Sequence, residues 1–93
     1  MTAPADETEI ARLMLALVAE RDPGKSVDPA EIARALGGPH PDGWGPLMRV
    51  VRSVAVRLMK EGQLVILRKN KPVDDPESFR GVYRLKGIER IAQ

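Results

Sequence analysis

Cysteine is absent from the 93 residues, which removes disulfides, thiolate nucleophiles and cysteine–zinc sites together. Histidine occurs once, at His40, so one chain offers no imidazole pair for metal binding or acid–base work. Aromatic residues make up 3% of the chain (Trp44, Phe79, Tyr83), too few for the stacking platform that RNA and single-strand binders use. The longest unbroken apolar run, Leu13 to Ala19, falls far short of the roughly 20 residues needed to span a bilayer. No basic-then-apolar leader opens the sequence, so we expect a cytoplasmic protein with no membrane partner. Paired carboxylates in a pocket and a nucleophile with its base are also missing. Gly37-Gly38 lacks the lysine and helix of a phosphate-binding loop. These absences argue against an enzyme and against any cofactor or metal, and leave a binding module.

What is present is the composition of an ordinary globule, 43% hydrophobic and 30% charged, which can bury a core. The length suits one domain and not two. Met1 to Ala5 read as a flexible terminus, with a single domain over residues 6–93.

Helical spacing is plain in the first half. Asp6 and Glu9 fit a capping box ahead of Ile10, Leu13, Met14, Leu17 and Val18, which share one face. Asp22-Pro23-Gly24 predicts the stop. A second helix is announced by Asp28 as cap, Pro29 in the first turn and Glu31 closing the box, with Val27 and Ile32 at the positions of a hydrophobic staple. Ile32, Ala33 and Leu36 form its short apolar face before Gly37-Gly38 ends it. Gly38 to Gly43 has no periodicity and reads as a turn. A third helix is expected from about Trp44–Pro46 to Glu61, stopped by Gly62. Leu47, Val51, Val54, Ala55 and Leu58 cluster on its inner side, while Arg49, Arg52, Arg57 and Lys60 occupy the opposite arc with Ser53 and Val56 between them. Leu64 to Leu67 reads as a strand ended by Pro72, and Gly81 to Lys86 as its antiparallel partner. Asn70 to Arg80 is then a long excursion for a hairpin, and Gly87 to Gln93 a final turn or a frayed end.

Three helices followed by a two-stranded antiparallel hairpin is an α+β, mainly α order that resembles the winged helix-turn-helix domain. That resemblance implies a third helix laid in the DNA major groove and a hairpin loop serving as the wing. More closely, the chain resembles a group of short bacterial proteins, the domain-of-unknown-function family numbered 3253. The residues that carry it are Pro29 to Leu36, Trp44, Leu47-Met48, Arg52, Leu58, Gly62, Lys71 to Asp74, and Arg80 to Leu85. The sequence departs from that family at Gly45, where an arginine is common. The family supports the fold and implies no activity.

Charge supplies the candidate function. Residues 1–31 hold seven acids and three bases, a net of −4, and residues 32–93 hold six acids and twelve bases, a net of +6. A basic half of this kind suits an anionic partner. No acid interrupts the helix between Arg49 and Lys60, whereas a plain solvated face more often mixes signs. We therefore expect duplex DNA as partner, with Arg49, Arg52 and Ser53 at base edges and Arg57, Lys60, Lys69 and Lys71 at phosphates. On this reading, alanine at Arg52 and Lys60 together weakens binding and leaves the fold intact.

Arg68, Arg80 and Arg84 would flank the same groove. Asp74, Asp75 and Glu77 lie on the wing itself, so its tip either points away from DNA or is tied back, for instance by Asp74 to Arg80 or Lys71. Arg34 either touches a phosphate or pairs with an acid of the first helix. Trp44 is read as a core contact, and His40 with Asp42 as solvated loop residues. The alternative class is a protein-interaction or dimerisation module, for which the acidic first helix and acidic wing are equally suited.

Overall fold

The computed structural model describes residues 7–21 and 25–88. The apolar stripe of the first segment winds into α1 (Glu7–Glu20) and buries Ile10, Met14 and Val18. The expected Asp6 cap, the Asp22-Pro23-Gly24 stop, the flexible Met1–Ala5 and most of the Gly87–Gln93 tail lie outside the described residues.

Helix α2 (Pro29–Gly37) starts as its sequence dictates. Asp28 Oδ1 accepts from Ala30 N at 2.9 Å, and Asp28 N donates to Glu31 Oε2 at 3.2 Å, so the orphan amides of the first turn are satisfied in both directions. Val27 and Ile32 are both fully buried beneath this cap. Arg21 reaches from the end of α1 to Glu31 Oε1 at 2.5 Å. That hydrogen bond, more than any other contact, holds the Glu31 carboxyl below its ordinary value, against the opposing effect of burial.

The turn expected over Gly38 to Gly43 contains a further single-turn helix, α3 (Pro41–Trp44). His40 caps it, its Nδ1 accepting from Asp42 N at 3.4 Å. The long helix therefore begins later than expected, as α4 (Leu47–Lys60). Two close backbone passages fix the α2–α3 corner. A Cβ on Gly37 would lie 2.5 Å from the carbonyl oxygen of Gly43, and one on Gly43 would collide with the carbonyl oxygen of Gly37. Only hydrogen fits between these backbones.

Among the described residues three strands follow rather than two: β1 (Leu64–Arg68), β2 (Lys71–Pro72) and β3 (Arg84–Gly87), in the order β2-β1-β3. The expected antiparallel pairing of the 64–67 and 81–86 segments is present, with Leu64 opposite Gly87 and Leu67 opposite Arg84. The excursion, however, does not begin at Asn70. Lys69 and Asn70 both have positive φ, 53° and 68°, the backbone of a two-residue hairpin turn whose twist matches the strands it joins. The chain thus doubles back at once, and Pro72 pairs opposite Leu67. Proline is accepted there because β2 is an edge strand, where a missing N–H breaks no second ladder. Val27 adds a bridge on the far side, exchanging both backbone hydrogen bonds with Leu85 at 2.7 and 2.9 Å.

The inward residues Leu64, Ile66 and Leu85 of the sheet meet Val51, Val54 and Leu58 of α4 in one core, and α1 and α2 close over it. Each of those six side chains is at most 2% exposed. The fold is thus α+β and mainly helical, with four helices and a three-stranded antiparallel sheet among the described residues.

Candidate nucleic-acid interface

The cationic arc of α4 exists as a helical face. With Val51, Val54, Ala55 and Leu58 buried, Arg49, Ser53, Arg57 and Lys60 are necessarily exposed and Arg52 is half-buried. What the helix alone does not reveal is how the rest of the chain uses these cations.

Arg52 is tied into the fold. Its Nη2 donates to the carbonyl oxygen of Phe79 at 2.5 Å, and its guanidinium carbon sits 3.8 Å from the centre of the Phe79 ring. Phe79 in turn meets Tyr83 edge-on, centroids 5.0 Å apart. Lys60 Nζ is hydrogen-bonded to Glu77 Oε2. That bond and the Glu77 charge, with help from Asp75, raise the Lys60 ammonium above its ordinary value. Arg57 lies 3.4 Å from Glu7 and 3.8 Å from Glu61. An arc with no acid in its own sequence is therefore met by carboxylates from α1, from the end of α4 and from the 73–83 loop. Arg49 and Ser53 remain exposed, and no ion pair of Arg49 is formed among the described residues.

The hairpin separates likewise. Arg68 Nη1 donates to the carbonyl oxygen of Val82 at 2.8 Å. Arg84 Nε donates to Ser26 Oγ at 2.5 Å and its Nη2 to Ser26 O at 3.2 Å. Both bind backbone or hydroxyl and form no ion pair among the described residues. Lys69 in the turn and Lys71 just after it are exposed and without an ion pair among the described residues. Arg80 is exposed too, and lines one depression with Arg52 and Glu77 and a second with Arg68 and Lys71.

The loop is not closed by Asp74, which forms no ion pair with Lys71 or Arg80. It is closed at other points. Val73 N donates to Ile66 O at 3.0 Å, Glu77 N donates to Asp75 Oδ1 at 2.9 Å, and Phe79 is buried under Arg52. Because Arg52 holds Phe79 and Arg68 holds Val82, this one segment ties the end of the hairpin to the middle of α4.

Arg34 forms no ion pair with an acid of α1 among the described residues, and its guanidinium lies over the Trp44 ring at 5.4 Å. Trp44 packs against the core as expected. Among the described residues no three His, Asp or Glu side chains gather to hold a metal ion, and no helix is long and apolar enough to cross a membrane.

The sequence reading did not identify Glu7, Glu77 and Phe79 as partners of the cationic helix. Glu7 and Arg57 are 50 residues apart and Glu77 and Lys60 are 17 apart, so no local spacing signals either pair.

A family model described as a protein of unknown function, DUF3253, matches residues 7–87. The chain belongs to that family. No curated protein matches it.

Proposed function

We propose that this member of the DUF3253 family is a non-enzymatic, winged helix-turn-helix protein that binds duplex DNA. The observation that carries the reading is the strand arrangement. Val27 joins β3, so the sheet runs Val27–β3–β1–β2, and α4 leads directly into a hairpin whose following 73–83 loop is tied to that helix by Arg52 and to β1 by Arg68. A helix beside a basic hairpin is the arrangement with which winged helices straddle a groove and its flanking phosphates.

The candidate contacts are narrower than those expected from the sequence. Arg49 and Ser53 are the α4 residues offered to base edges. Lys69 and Lys71 are offered to phosphates from the turn, with Arg80 beside them. Arg52 supports the loop, and Arg57 and Lys60 are already occupied.

The test is fluorescence anisotropy of a labelled random-sequence duplex, titrated at several salt concentrations. Three cations on phosphates give a log–log slope of about −3, at roughly −0.9 per contact. Alanine at Lys69 and Lys71 together should bring the slope down by about 2 units. Absence of binding at low salt rejects the proposal.

A protein-interaction role has one observation in its favour. The outer sheet face presents half-buried Val65 and Leu67, exposed Pro72, and Val82 at 81% and Ile88 at 40% exposure. Docking through that face would be nearly independent of salt.

A further inference from the structure

Surface ion pairs contribute little to folding, and the Lys60–Glu77 pair is a surface pair, its side chains 54% and 58% exposed. Its chief effect is therefore on whatever approaches α4. The surrounding loop is built to keep the carboxylate in place. Asp75 Oδ1 accepts from Glu77 N, Asp75 O accepts from Ser78 N at 3.1 Å, and the next residue, Phe79, is clamped by Arg52. Val73 and Val82 are fixed independently, to Ile66 and Arg68. Glu77 thus projects from a segment anchored on both sides, with Asp74 and Asp75 adding negative charge next to it.

Resting on the DNA-binding reading above, we infer that the 73–83 loop is a self-screening arm whose Glu77 carboxylate occupies Lys60 where a DNA phosphate would otherwise sit, and so sets the affinity of the α4 face. A phosphate reaches Lys60 only by displacing Glu77 and by approaching Asp75. The cation is present on the helix yet withheld from the duplex.

The experiment uses the full chain and a labelled random-sequence duplex. Glu77→Gln removes the carboxylate and leaves the Arg52 and Arg68 anchors. One added phosphate contact steepens the salt slope by about 0.9, which raises affinity about eightfold at 0.1 M salt. Glu20→Gln makes the same change in net charge at the other end of α1. Because Glu7 at the near end meets Arg57, Glu20 lies about 20 Å from the Lys60 end, and its substitution should alter affinity less than twofold. In a Lys60→Gln background the gain from Glu77→Gln should vanish. Equal behaviour of the Glu77 and Glu20 variants overturns the screening arm and leaves DNA binding standing. A gain that persists without Lys60 overturns it as well. No binding by any variant at low salt overturns both readings.

Discussion

Tyr83 carries its phenol into the interior beside Phe79, and its hydroxyl finds no hydrogen-bond partner within the described residues. Burial pushes its acidity down, to a pKa of about 12, although the nearby Arg52 charge pulls the other way. The sign of the consequence follows directly. Below pH 10 the phenol is neutral in both states and contributes no pH dependence. Above pH 10 the unfolded chain loses the proton while the folded chain keeps it to about pH 12, so stability falls across that window by about 3 kcal/mol. Urea unfolding followed from pH 9 to 12 should show the loss, and Tyr83→Phe should flatten it. At neutral pH the same substitution removes an unpaired buried hydroxyl and should change stability by less than about 1 kcal/mol, in either direction. As Tyr83 is the only tyrosine, phenolate absorbance reports the group without overlap. Nothing in the sequence marks this orphan hydroxyl, because a tyrosine in a strand-like run has the same signature whether its oxygen reaches water or not.

Short-range signals were readable where one residue type does one job. The Asp28-Pro29-Ala30-Glu31 start of α2 was legible in full, since the box needs only its own residues. The inner face of α4 was equally legible from its 3.6-residue repeat. Two elements were not. The single-turn α3 is too short for periodicity, and its only sign is proline followed by aspartate after a capping residue. The Lys69-Asn70 turn lacks the glycine that normally advertises a tight hairpin. Asn70 at φ 68° should therefore accept glycine with a small gain, up to about 1 kcal/mol in thermal unfolding, whereas Asn70→Val should destabilise. Gly43→Ala should behave in the opposite sense to Asn70→Gly. Its methyl would meet the Gly37 backbone, which cannot move without shifting α2. A loss of about 1–3 kcal/mol is expected, measured by denaturant titration.

At the scale of the molecule, the fold class and the cationic face both follow from local pattern, but the use of the cations does not. Periodicity places Arg49, Arg52, Arg57 and Lys60 outward. Only the folded chain brings Glu7, Glu77 and the Phe79 carbonyl to them. Arg52 shows the difference most sharply: its spacing marks it only as a cation of the outer arc, and the folded chain ties it to the Phe79 carbonyl and ring. Arg52→Ala should lower stability by about 1.5–3 kcal/mol, the usual range for losing a hydrogen bond to a charged donor. The alanine pair at Arg52 and Lys60 would accordingly confound binding with folding. Hydrogen exchange should locate the effect, with amides of the 73–83 loop losing protection in Arg52→Ala before those of α4.

The bridge between Val27 and Leu85 also bears on how the protein is made. The adjoining Ser26 and Arg84 are 58 residues apart in the chain, a stretch that takes about 3–12 s to synthesise at 5–20 residues per second. Helices form in about a microsecond. Throughout those seconds α1 and α2 can form and associate, but the Val27 N–H and C=O have only water to bind. The bridge between Val27 and Leu85 cannot close until β3 leaves the ribosome, so this edge of the sheet is completed only after every other described element has been made.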